Sequence, residues 1–273
     1  MSQLTNNKTV RNAYLLTFCV SYFCLIVHGE KMIKEILLLS DPVLIQDLEG
    51  ILLNANPDLI VSSIVTKEQL KDRAQRPFIQ SRMLSVGTEI IVPASILSAL
   101  DCGAYNFHPG PPTYPGRFPS CFFIYDRGKM FGTTVHEMVP KVDSGAINAV
   151  DWFEVAPDID RVQLNYISYY SLLGLFKKFA PFLTSREEAL PRIGEVWSGR
   201  ASTQKDFENL CHVPINIGED EFKRRYRAIG EGPDHAIETT LYGHRFYLKP
   251  PPDIHGVYVG GIKKSPKNVR SER

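Results

Sequence analysis

The chain has 273 residues, enough for one large domain or a main domain with a small appendage, and either can bury a substantial core. A composition of 44% apolar and 22% charged residues is that of a globular protein, and a formal net charge of +1 gives no overall drive toward DNA or an anionic membrane. The five cysteines, Cys19, Cys24, Cys102, Cys121 and Cys211, are odd in number and lack the paired C-x-x-C motifs of structural zinc, which argues against a disulfide framework and for a reducing, cytoplasmic compartment.

Residues 1–31 form an extension in which Ala13 to Val27 is an apolar run behind Lys8 and Arg11. The run is short for a membrane span, and Gly29-Glu30-Lys31 offers no small-residue cleavage site. Three readings stay open: an anchor or signal, an extra buried element, or sequence upstream of a true start at Met32. Met32 directly precedes Ile33 to Leu39, whose apolar run predicts a buried parallel strand ending at Ser40-Asp41-Pro42 and feeding a helix. Leu44, Leu48, Ile51 and Leu52 recur at helical spacing, Asn56-Pro57-Asp58 breaks the helix, and Leu59 to Val65 predicts a second strand. No G-x-G-x-x-G or P-loop pattern follows either strand, so a Rossmann-like frame without its usual phosphate cradle is expected.

Thr66 to Gln75 reads as a polar helix or loop, and Arg82 to Ser85 and Glu89 to Val92 read as short strand regions. Ala94 to Leu100 predicts a brief helix and Tyr105 to His108 a strand. The latter's period of two turns Asn106 and His108 to one face and Phe107 to the other. Pro109 to Pro112 then stiffens the backbone. Ser120 to Tyr125 has helical potential with Pro119 suited to its first turn, and Gly132 to Met138 and Ala146 to Val155 predict a hairpin joined by the loop from Val139 to Gly145. Asp160 to Leu183 is the longest helical pattern, with Val162, Leu164, Ile167, Leu172, Leu175, Phe176 and Phe179 as its apolar side. After Pro191 a small extension is expected, with a helix over Glu219 to Ala228, a hairpin turning at Tyr242-Gly243, and an end to regular structure at Lys249 to Pro252. Arg224, Arg225 and Arg227 read as a solvated helix face, and Lys263 to Arg273 as a basic solvated tail.

Three features converge: Asn106-x-His108, Gly132-x-Thr134-x-His136, and Asp143-x-Gly145. In this order and spacing they resemble the signature of the formyltetrahydrofolate-dependent formyltransferases, in detail from about Arg82 to Trp152 and more loosely from Met32 to about Leu248. The resemblance implies an α/β, Rossmann-like formyltransferase fold with a mostly parallel central sheet. It places a catalytic domain at 32–190, a small subdomain at 191–252 carrying a helix and a β-hairpin, and a tail at 253–273. It assigns catalysis to Asn106, His108 and Asp143, with 10-formyltetrahydrofolate as cosubstrate and no metal. The folate's pterin is expected against the strand at Arg82, Met83 and Leu84, beside Ile91, and against the loop carrying Val139, Lys141 and Val142; core packing is the competing reading of Met83, Leu84 and Ile91.

Formyl transfer passes through a tetrahedral intermediate, which an amide donor such as Asn106 can stabilise, while His108 moves a proton and Asp143 orients it. A metal site built from His108, His136 and Asp143 is the competing chemistry, but it gives Asn106 no role, and His136 reads as structural. The loop Pro109-Gly110-Pro111-Pro112-Thr113-Tyr114-Pro115-Gly116 is similar to that of the nucleotide-sugar N-formyltransferases, whereas methionyl-tRNA enzymes usually carry a Ser-Leu-Leu-Pro-like loop. The expected partner is therefore a nucleotide-linked amino sugar used for surface polysaccharide, with Tyr114 and Arg117 as acceptor contacts, bracing of a rigid loop being the competing reading of both, and a homodimer compatible. A tRNA acceptor, which needs a broad basic surface, is the first alternative, and a non-catalytic folate-binding module the second.

Overall fold

The computed structural model describes residues 32–230, 236–248, 257–259 and 262–264. The chain divides into two units, Met1–Met32 and Ile33–Arg273, and every element named below belongs to the second. The readings offered for residues 1–31 lie outside the described residues.

Strands β1 (Glu35–Ser40), β2 (Ile60–Ile64), β3 (Ser81–Val86), β4 (Ala104–His108), β5 (Met130–Glu137) and β6 (Ile147–Glu154) make one sheet in the order β2-β1-β3-β4-β5-β6. The first four run parallel, and β5 and β6 are antiparallel additions. Parallel neighbours need crossovers, supplied here by the helices α1 (Pro42–Ala55), α2 (Lys67–Arg73) and α3 (Ala94–Ala99). Local signals start them: Asp41 accepts from the Val43 N–H ahead of α1, and Thr66 and Gln69 form a reciprocal capping box on α2. The expected strand at 89–92 is not one; these residues continue as irregular chain past Gly87, whose φ of +55° ends β3.

Alternation along the strands splits the core into two layers. Ile36, Leu38, Leu84 and Phe107 pack against Leu44, Leu48 and Leu52 of α1 and against Leu172, Leu175, Phe176 and Leu183 of α5 (Arg161–Ser185). Leu37, Leu39, Met83 and Ala104 meet Leu70 and Ile96 on the other face. Fully buried side chains of this kind contribute roughly 1.5–3 kcal/mol each. Phe107, 0% exposed, meets the Phe176 ring edge-on at 5.0 Å and so anchors the strand that carries Asn106 and His108. Along α5 the expected apolar side holds except at Ile167, which is 43% exposed because its position turns away from the sheet.

The chain after Pro191 shares a core with the sheet's antiparallel edge. Phe207, Leu210 and Cys211 of α6 (Gln204–Cys211) and Ala228 and Ile229 of α7 (Glu219–Ile229) pack with Cys121, Phe123 and Ile124 of α4 (Pro119–Tyr125) and with Phe131. The basic run on α7 is not a solvated face. Arg225 donates to the carbonyls of Asn209 and His212, Arg227 donates to those of Ile159 and Pro157, and Arg224 lies 3.7 Å over the Tyr125 ring. The hairpin β7 (Glu238–Leu241) with β8 (His244–Tyr247) turns at Tyr242 and Gly243, both at positive φ. A second hairpin, β9 (Val257–Val259) with β10 (Ile262–Lys264), extends regular structure past Pro252 and takes in Lys263 and Lys264; the rest of the expected tail lies outside the described residues.

Candidate active site

β4 and β5 bring the polar residues together. Their register sets Asn106 opposite His136, and a bulge between Val135 and His136 re-aims the histidine toward the end of β4. The β5–β6 loop then returns Asp143 to the same point. Glu137 and Ala146 close its base by a backbone bond of 2.9 Å, and Gly145 sits where any Cβ would collide with the Glu137 carbonyl. Asp143 itself has φ +44°, a left-handed conformation that Asp tolerates better than most side chains and that recurs at functional sites.

The result is a buried cluster with His108, His136 and Asp143 at 3%, 2% and 7% exposure. One carboxylate oxygen of Asp143 lies 3.5 Å from His108 Nδ1 and accepts the Gly116 N–H at 2.8 Å. The other lies 3.3 Å from His136 Nε2, which is also 3.1 Å from Asn106 Nδ2. His136 Nδ1 donates to the Glu137 carbonyl at 2.8 Å. Its Nε2 therefore faces two partners with opposite needs: the carboxylate accepts only when that nitrogen carries a proton, and the amide donates only when it does not. Asn106 is the half-buried member, with one amide N–H and its carbonyl beyond what His136 uses.

His108 is held between two acceptors, Asp143 on Nδ1 and the Tyr114 carbonyl 3.2 Å from Nε2. A neutral ring can serve only one of them, so the site has a place for one further proton. Burial pushes the His108 pKa below its ordinary value against the pull of Asp143, which keeps the ring in its basic form. Burial also opposes ionisation of Asp143, but His108, the His136 hydrogen bond and the Gly116 N–H outweigh it and hold the carboxyl at about 2. Among the described residues no group of three or more His, Cys, Asp or Glu side chains is arranged to share one metal ion.

The proline loop after β4 is stiff for a readable reason. Prolines bring carbonyls without N–H donors, and neighbours supply the donors: Ser168 to Pro109, Thr134 to Gly110, Ser198 to Pro112 and Ser202 to Pro115. Tyr114 does not face the site as expected. Its ring packs edge-on to Phe123 in the core and its hydroxyl pKa is pushed up to about 12 by burial, while its carbonyl is what reaches His108. Arg117 is at the rim, paired with Glu89 at 2.5 Å and donating to Gln204.

The expected folate residues divide. Ile91, Val139 and Val142 are 66%, 38% and 50% exposed, and Lys141 is exposed, so all four are open to a ligand. Arg82, Met83 and Leu84 are fully buried, and β3 is an interior strand whose backbone pairs with β1 and β4 on its two sides. A heterocycle cannot hydrogen-bond to backbone that is paired on both sides. Arg82 gives its donors to the carbonyls of Cys102, Leu183, Glu187 and Glu188.

Sequence reasoning missed Trp197. Its indole lies nearly perpendicular to the rings of His136 and His108, with centroids 4.9 and 5.7 Å away, and its Nε1 donates to the Gly145 carbonyl. No spacing links residue 197 to the motifs, and the backbone bonds from Ile193 and Ser198 that bring its segment there are visible only in three dimensions.

The fold recurs in solved formyltransferases. A 4-N formyltransferase from Francisella tularensis superposes with a TM-score of 0.63 over 80% of this chain and 98% of its own, at 18% identity. An N-formyltransferase from Helicobacter canadensis, solved with folinic acid and dTDP-3-aminofucose, gives 0.56 over 78% and 85%, at 19% identity. A methionyl-tRNA formyltransferase from Clostridium thermocellum gives 0.56 over 80% and 92%, at 12% identity. No protein-family model and no curated protein matches the chain. The chain has the formyltransferase fold, and that fold is shared by enzymes with sugar and with tRNA acceptors.

Proposed function

We propose that this protein transfers a formyl group from 10-formyltetrahydrofolate to the primary amine of a nucleotide-linked deoxyamino sugar. The observation that carries the reading is the convergence of Asn106, His108 and Asp143 within one buried cluster on a formyltransferase fold. In the reaction the acceptor nitrogen bonds to the formyl carbon while the carbonyl electrons move to oxygen. The oxyanion then re-forms the carbonyl as the bond to the folate nitrogen breaks. Asn106 presents its amide to the developing oxyanion, a contact stronger in the transition state than before it. His108 takes the proton that the amine sheds, Asp143 stabilises the resulting imidazolium, and the proton passes on to the departing folate nitrogen. Ile91, Val139, Lys141 and Val142 are the side chains available to the folate, and Arg117 is available to an acceptor diphosphate.

Support for the sugar over tRNA comes from the proline loop and from the fate of the basic residues: Arg224, Arg225 and Arg227 are engaged within the protein and leave no broad basic face on α7. A cytoplasmic setting and a role in surface polysaccharide follow from that substrate class. Among the described residues no helix is long and apolar enough to cross a membrane. Incubation with formyltetrahydrofolate and a panel of nucleotide-linked amino sugars tests the reading by the gain of a formamide on the sugar. Because His108 must start neutral, the acid limb of kcat is expected below the ordinary histidine value of about 6.5.

A further inference from the structure

Residues 192–203 cross the site as a strap tied down on both sides. On one side Arg192 makes a two-pronged contact with Glu137 at 2.7 and 2.8 Å, and the Ile193 N–H reaches the Ile147 carbonyl at 2.9 Å. On the other, Ser198 N–H donates to Pro112, Ser202 N–H to Pro115, and Arg117 N–H to the Ser202 carbonyl. Gly116 forms an isolated bridge with Ser202 in which any Cβ would collide, and the same Gly116 donates its N–H to Asp143. Between the anchors, Trp197 is half-buried with its ring packed T-shaped against both imidazoles and its Nε1 on the Gly145 carbonyl, 2.8 Å away. The strap thus joins the two loops that supply the cluster: 109–117, which caps Asp143, and 138–146, which carries it.

We infer that Trp197 is a positioning residue: its indole and the strap that holds it fix the ring orientations of His108 and His136 and keep Asp143 in register with them. Three observations favour positioning over substrate contact. The ring meets both histidines edge-on, its N–H is occupied by a backbone carbonyl, and its attachments run to both catalytic loops. Each histidine has a hydrogen-bonded axis about which its ring can tilt, and the indole packed crosswise against both rings blocks that tilt.

The kinetic arm of the test rests on the formyl-transfer reading. Trp197→Leu is expected to lower kcat by about ten- to a hundredfold, the scale of a misplacement near 1 Å, with both KM values changed less than about threefold. Trp197→Phe, which keeps a ring and loses the N–H, is expected to recover most of kcat. Unchanged kcat in the leucine variant, or a raised KM at constant kcat, overturns the inference. A second arm needs no substrate. In the ligand-free protein the ring resonances of His108 and His136 should be sharp and displaced by the indole, and in Trp197→Leu they should broaden and lose that displacement. Unchanged resonances overturn the positioning role whether or not any formyl acceptor is found. Trp197→Met, whose unbranched side chain adapts to an irregular gap, carries both arms if the leucine variant does not fold.

Discussion

Two polar clusters lie buried at different places along β3 and β4, and they differ in how completely their hydrogen bonds are taken up. Arg82, 0% exposed, donates to four backbone carbonyls and lies 5.5 Å from the Tyr105 ring, whose hydroxyl accepts from Leu190 N–H. Burial lowers its pKa, and four of its five N–H groups end on backbone carbonyls. The cluster of Asn106, His108, His136 and Asp143 is buried except at the half-buried Asn106, and it is incomplete: His108 faces two acceptors, and His136 Nε2 faces a carboxylate and an amide that cannot both be served. A buried polar group whose donors are nearly all taken up by backbone carbonyls is a brace. One with capacity left over is equipped for chemistry.

Mutations that exchange the signatures of the two places would break this comparison. The largest effect on stability is expected from Arg82→Met, which strips four carbonyls of their donor; unfolding free energy should drop by about 3–5 kcal/mol in urea titrations, with kcat of the folded fraction unchanged. Asn106→Ala should do the reverse, lowering kcat about 10²–10³-fold, equivalent to about 2.7–4 kcal/mol, with the melting temperature within a few degrees. Acid titration gives an effect on the order of 2 kcal/mol. The Asp143 pKa is depressed from 3.8 to about 2, so its contribution is complete above the ordinary value and is lost as pH falls from about 4 to about 2. Asp143→Asn should flatten that limb of the stability curve. Gly116→Ala, at φ +93° and against Ser202, should cost about 1–2 kcal/mol of stability and lower kcat, since it moves the donor to Asp143. Arg117→Ala should be the mildest, raising KM for a nucleotide-linked acceptor about tenfold while leaving stability unchanged, because its Glu89 partner is exposed.

The sequence was most readable where structure is local. Apolar runs marked β1 to β4, helical spacing marked α1 and α5, and the period of two in β4 set Phe107 opposite Asn106 and His108. The family resemblance grouped Asn106, His108 and Asp143, two on β4 and one on the loop that follows its neighbour β5. What it could not reach depends on strand order. Residues 82–84 look like an accessible strand until β1 and β4 are seen to occupy both its edges. His136 looks structural until the bulge turns it onto Asn106 and Asp143. Tyr114 looks like a ligand contact until its ring is found against Phe123, and Trp197 arrives from a segment with no motif at all.

The central claim is tested most directly by mass analysis of the acceptors after incubation with formyltetrahydrofolate, comparing nucleotide-linked amino sugars with initiator methionyl-tRNA. The account predicts a formamide on a nucleotide sugar, formed by the wild-type protein and lost with Asn106→Ala or His108→Ala. Formylation of the tRNA alone would contradict the proposed acceptor. Formylation of no amine, or turnover unaffected by both substitutions, would contradict the assignment of chemistry to this cluster.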